Sequence, residues 1–190
     1  PTCYREHYTM MPLQKWFFME SFYGEAQLRH RVAWALSQIW VTSGLTVQQS
    51  SHQIAYFKTL ADNSFGNYRD IMRAVTLNPA MGHYLDMVRS TKLNPNENYP
   101  REILQLFSIG LYKLNQDGTL QLDNNGQPID TYDQAVINDL SKVFTGWTYC
   151  NVGCSNSRPS IVNYKDPMVI NPANHDLTAK TLLDYPNSVH

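Results

Sequence analysis

The sequence predicts a mainly α fold, a multi-helix orthogonal bundle carrying a short β-hairpin insertion. Apolar residues recur at spacings of three and four along most of the chain up to residue 111. Asn-Pro and Gly punctuation falls between those runs, and one stretch near residue 120 alternates instead. With 190 residues, 43% hydrophobic and 12% aromatic, the chain can bury one sizeable core. A single helical domain over 1–190 is therefore expected, with the hairpin insertion at 115–130 and an irregular tail at 148–190.

The first helix is expected from about Pro12 to Tyr23, with the proline in its first turn and Leu13, Trp16, Phe17 and Met19 available to pack. From Glu25, Leu28, Val32, Ala35, Leu36 and Ile39 form a stripe, and Trp34, Trp40 and Val41 make the second half apolar nearly all round. That pattern predicts a buried helix with Gly44 at its C-cap. The segment TVQQSSHQIAYFKTLADNSFG predicts a third helix with Ile54, Phe57 and Ala61 on its inner stripe, Tyr56 and Leu60 beside it. A short helix from Asn67 turns Tyr68, Ile71, Met72 and Val75 inward and stops at the next Asn-Pro pair. There Asn78 caps a fifth helix with Pro79 at its first position and Met81, Tyr84, Leu85 and Val88 following.

The segment NPNENYPREILQLFSIG, residues 94–110, sets polar chemistry beside an apolar run. At 100° per residue from Glu97, Tyr99, Ile103, Leu104, Leu106, Phe107, Gly110 and Leu111 share one arc. Glu97, Asn98, Arg101, Glu102, Gln105 and Ser108 share the other. Capping, the helix dipole and a Glu97–Arg101 pair at i,i+4 account for the polar set without any chemistry. The alternative is that Glu97, Arg101 and Glu102 face a cleft, a carboxylate acting as acid or base and the arginine holding an anionic group.

Residues 115–130 carry turn signals at QDG and NNG around a short alternating stretch, as in a small hairpin or two-turn excursion. A calcium loop does not fit, since neither Asp117 nor Asp123 opens the required frame. The last helix is expected at TYDQAVINDL, with Thr131 and Gln134 as a capping box and a stripe of Val136, Ile137, Leu140, Val143 and Phe144 running to Trp147, near the exit at Gly146.

Charge excludes some classes. A formal net charge of −1 without any basic run lacks the footprint of a nucleic-acid binder. No apolar stretch reaches the roughly 18 residues of a membrane span, and the start of the chain is not a secretory signal. Of three cysteines, Cys150 and Cys154 are close enough to pair around a tiny loop or to remain thiols. No metal site is expected, because only distant His175 and Cys3 could join them. There is no phosphate loop, nucleophile elbow or paired-histidine zinc motif. His83, His30 and His52 read as structural histidines.

The blocks NYRDIMRAVTLNPAMGHYLD, NENYPRE, LQLFSIG, TYDQ, LSKVFTGW and NHDLTAKTLL, in that order from about Arg29 to Leu183, resemble the bacterial family known as domain of unknown function 1800. The chain is similar to a central portion of larger family members. The resemblance implies an exported protein, periplasmic or secreted, often encoded beside a second exported protein that is a candidate partner. It names no cofactor. By analogy it points to Asn96, Glu97, Asn98, Arg101, Glu102, Gly146, Trp147, His175, Asp176 and Lys180. On the residues alone, Asp176 reads as capping a following turn and Lys180 as solvated.

Two functional classes follow. One is a helical domain that binds a partner protein or surface polymer, with Asn96, Asn98, Lys180 and Trp147 as binding residues. The other is a hydrolase or transferase with Glu97 or Glu102 as acid or base, Arg101 as anion holder, and His175 and Asp176 brought in from the tail.

Overall fold

The computed structural model describes residues 9–158 and 160–183. Among them the chain forms seven α-helices: α1 (Met11–Tyr23), α2 (Gln27–Ile39), α3 (Ser50–Asp62), α4 (Tyr68–Thr76), α5 (Pro79–Tyr84), α6 (Asn98–Gln105) and α7 (Gln134–Val143). Two short strands, β1 (Trp147–Thr148) and β2 (Val169–Ile170), pair antiparallel. The fold is mainly α, as expected. The chain divides into two compact units, Pro1–Val88 with Trp147–Ile170 and Arg89–Gly146 with Asn171–His190.

In the first unit, α3 is the central helix, packed on α1, α2, α4 and α5. Its buried face is His52, Gln53, Tyr56, Phe57 and Leu60, while Ile54 is exposed. The expected Ile54 stripe is thus rotated and Gln53 lies inward, its Oε1 accepting from Thr42 Oγ1 at 2.9 Å while its Nε2 is buried without a partner. The helix expected to be buried, α2, sends only His30 and Ala33 inside, and Leu28, Trp34 and Ile39 stay exposed. It ends at Trp40 rather than Gly44. The Trp40 ring is fully buried, stacked 4.7 Å from the Tyr68 ring, and Tyr56 Oη donates to its carbonyl at 2.6 Å. In α1, Leu13 and Phe17 are half-buried, but Trp16 and Met19 are exposed. Asn67 and Asn78 cap α4 and α5 as expected, each accepting a backbone N–H two residues on. Tyr68, placed inward by the spacing, is exposed; Ile71 and Val75 are buried. Cys150 and Cys154 form a disulfide with Cα atoms 6.1 Å apart.

In the second unit, α6 packs on α7 around Tyr99, Leu104, Phe107, Ile137 and Phe144. The Tyr99 ring meets Phe144 edge-on at 5.0 Å; truncating a buried aromatic of this kind costs about 3–5 kcal/mol. Helix α6 is shorter than the wheel assumed. The Ile109 and Gly110 N–H groups close on the Leu104 carbonyl, with Gly110 at φ +75°. Leu106, at the C-cap, and Leu111, past the closure, are exposed rather than buried. The capping box at α7 does not form either. Asp133 is the N-cap, its Oδ1 accepting the Val136 N–H at 3.0 Å, while the Thr131 hydroxyl donates to the Gly110 carbonyl. Helix α7 ends at Val143, so Trp147 belongs to β1 and not to its stripe.

The excursion at residues 111–131 is a two-turn device with a closed backbone ring. Lys113 N–H donates to Ile129 O, Ile129 N–H to Gln121 O, and Gln121 N–H to Lys113 O, at 2.8–3.0 Å. The three residues recur at intervals of eight because the chain repeats one plan: an extended segment, an Asn or Asp, and a turn ending in glycine. Gly118 and Gly126 sit at φ +85° and +78°, where only glycine is unstrained. Asp117 Oδ1 accepts from Thr119, and Asp123 Oδ1 accepts the N–H groups of Asn125 and Gln127. Hydrogen bonds from Thr119 in the first case and Gln127 in the second hold both carboxyls below the usual range. Around this ring Tyr112, Leu114, Leu120 and Leu122 stand exposed.

Candidate functional site

The polar turn at the start of α6 is built by two elements. Asn96 Oδ1 accepts the Asn98 N–H at 2.9 Å, an Asx turn that sets the helix start, and Ser90 Oγ accepts the Asn96 N–H. One turn on, Arg101 Nη2 donates to Glu97 Oε2 at 2.6 Å and to Gln134 Oε1 at 2.8 Å. Gln134, the first residue of α7, returns its amide to both Glu97 oxygens at 3.3 Å and to Asn138 Oδ1 at 2.7 Å. Glu97, Arg101, Gln134 and Asn138 therefore satisfy one another along the α6–α7 seam. Glu102 is different: it is half-buried and its Oε2 is buried with no hydrogen-bond partner. Tyr132 lies close enough for its phenol to feel the charges of Arg101 and Glu102, although burial is what chiefly raises it.

The tail residues form a second cluster on the end of α7. His175 Nδ1 donates to the Thr145 carbonyl at 2.7 Å, and the Asp176 N–H to Thr145 Oγ1 at 2.8 Å. Asp176 Oδ1 accepts the Thr178 N–H, which is the turn cap the sequence suggested. Lys180 is not solvated. Its Nζ meets Asp176 Oδ1 at 2.9 Å with both side chains 14% exposed, and it also donates to the Asp176 and Thr178 carbonyls. The Thr178 hydroxyl, then Lys180, push the Asp176 carboxyl well below the usual range. Gly146 makes this docking possible. At φ +77°, a Cβ there would lie 2.7 Å from His175 N and 2.9 Å from Asn171 O, both backbone atoms that cannot step aside. The tail is also tied by the Lys92 N–H to Asn174 O and the Thr181 N–H to Asp139 Oδ2.

The structure thus joins Glu97 with Arg101, and His175, Asp176 and Lys180 with one another around Thr145. The hydrogen bonds of His175 and Asp176 run to Thr145, Thr178 and Lys180, and among the described residues none links them to Glu97, Arg101 or Glu102. Asn98 is exposed on α6, and Trp147 pairs with Ile170 in the other unit.

The first unit holds a group whose members no local sequence pattern brings together. His52 from α3, His83 from α5, and Tyr149 and Tyr164 from the segment after β1 converge. The His52 and His83 rings are 5.8 Å apart, His83 Nδ1 shares a hydrogen bond with Tyr149 Oη at 3.0 Å, and the Tyr164 ring stands edge-on to His52. His52 and Tyr164 lie about 110 positions apart in sequence, so spacing could not pair them. His52 is 4% exposed, and its Nε2 has no partner. Burial, and then the charge of nearby His83, push its pKa down to about 3. Among the described residues no three His, Cys, Asp or Glu side chains converge as a metal site.

No curated protein and no solved structure matches the chain. Residues 4–188 match the family described as "Protein of unknown function (DUF1800)", and with nearly its whole length covered the chain belongs to that family.

Proposed function

We propose that this chain belongs to an exported bacterial protein that binds a partner protein, the partner being a second exported protein of the kind often encoded beside members of the family. The observation that carries this reading is the excursion at residues 111–131, where Tyr112, Leu114, Leu120 and Leu122 are held exposed on a hydrogen-bonded ring. A rigid apolar surface of this kind is suited to association. Two further features support it. Glu97 and Arg101 pair with each other and with Gln134 of α7, so those two charges act as a scaffold along the seam. The Cys150–Cys154 disulfide suits an oxidising compartment outside the cytosol. The test is co-purification of the full-length protein with that neighbour. Co-elution that a Leu114→Asp, Leu122→Asp pair weakens at least tenfold supports the reading, and unchanged co-elution in that variant, or none with the native chain, overturns it.

One observation favours the second reading, a hydrolase or transferase using carboxylate acid/base chemistry at the Glu97, Arg101 and Glu102 turn. The buried, unpartnered Oε2 of Glu102 is the kind of group a substrate hydrogen bond would complete. A Glu102→Gln variant that loses a turnover shown by the native protein, while keeping its fold, would favour this reading over the first.

A further inference from the structure

A cleft of about 510 Å³ in the first unit is lined by Thr9 and Met10 and the Gly44–Gln49 loop, together with His52, His83 and Tyr164. It opens at the amino end of α3, a 13-residue helix whose N-cap, Gln49, makes no side-chain capping bond. We propose that this cleft is a binding site for a small ligand bearing an oxyanion, held by the amino end of α3 and by His52, with Tyr164 turning aside to uncover the imidazole. The inference is independent of the partner-binding reading.

Three observations carry it. The Nε2 of His52 is nine-tenths buried and has no hydrogen-bond partner, so the folded chain leaves a strong polar group unmet in the wall of a cleft. The helix start whose N-cap Gln49 lines the cleft has no side-chain cap, so its partial positive charge is not offset there. The third observation is the charge of the lining. Thr46, Gln48 and Gln49 come from the loop, His83 from α5 and Tyr164 from the far segment, and Tyr149 stands behind His83. Among the described residues, no Asp, Glu, Lys or Arg lines the cleft. Among the described residues, the polar rings set against His52 are the His83 imidazole and the Tyr164 phenol, and neither is a carboxylate. A cation would meet the positive end of a helix and no carboxylate. An oxyanion meets donors, and it makes protonation of His52 favourable where burial otherwise forbids it.

The experiment titrates the protein with sulfate, whose charge is constant over the range used, and follows the His52 and His83 ring resonances by NMR at pH 7.5 and 5.5. Both resonances are expected to shift saturably, with affinity about three- to tenfold tighter at pH 5.5 through proton uptake. His52→Phe is expected to lose at least tenfold in affinity at pH 5.5. Tyr164→Ala, which uncovers Nε2, is expected to bind as tightly as the native chain or more so. Acetate and inorganic phosphate at pH 5.5 separate carboxylate from phosphoryl ligands, and tighter binding of either supports the site. Unmoved imidazole resonances overturn the proposal, and so does sulfate affinity retained in His52→Phe. Binding of zinc alone, or of an uncharged sugar but not sulfate, overturns it as well.

Discussion

The buried imidazole of His52 makes a quantitative claim about stability and pH. In the unfolded chain its pKa takes the ordinary value of 6.5, and in the folded chain burial and His83 hold it at about 3. The folded state therefore refuses a proton that the unfolded state accepts between those values. Stability is complete above pH 6.5 and declines as pH falls toward 3. At pH 5 the unfolded imidazole is almost fully protonated and the folded one almost fully neutral. Integrating from pH 7 gives a loss of about 2 kcal/mol, a figure that changes little if the folded value is one unit higher. Other groups also titrate, so the assay compares native and His52→Phe proteins by urea unfolding at pH 7 and 5, in amine buffers with chloride to keep oxyanions out of the cleft. The native protein is expected to lose about 2 kcal/mol more than the variant over that interval. Parallel losses in the two proteins would refute the placement of His52 as a buried neutral imidazole.

Other substitutions probe the second unit. Gly146→Ala meets both a positive φ and three backbone atoms under 3 Å away, and is expected to lower unfolding stability by roughly 2–4 kcal/mol and to release protection of residues 171–181 in hydrogen exchange. Asp133→Ala removes the α7 cap and is expected to cost about 1 kcal/mol in chemical denaturation, whereas Thr131→Ala, which leaves that cap intact, leaves the α7 amides as protected as before. Tyr99→Ala, at the centre of the α6–α7 core, is expected to cost about 3–5 kcal/mol by the same measurement.

Much of the helical plan was legible in the sequence because local signals decided it. Asn67 and Asn78 cap where they should, and the turns at Gly118 and Gly126 follow from residues that tolerate positive φ. Burial was less legible, because periodicity says which residues share a face but not which face finds a neighbour. That is why Leu28 and Ile54 are exposed and His52 and Gln53 lie inside. The α7 cap was misassigned because TYDQ offers two capping side chains, and the Thr131 hydroxyl is claimed by the distant Gly110 carbonyl. The pairing of Glu97 with Arg101 was readable at i,i+4, but its extension to Gln134 depends on how α6 meets α7. The histidine and tyrosine cluster left no local trace, since its members come from segments joined only by folding.

Hydrogen exchange of the protein, alone and mixed with the partner proposed above, tests the functional account most directly. Added protection concentrated in residues 111–131, around Tyr112, Leu114, Leu120 and Leu122, is the result expected. Protection confined to the Glu97–Glu102 turn and the His175–Lys180 segment, or none anywhere, would contradict it.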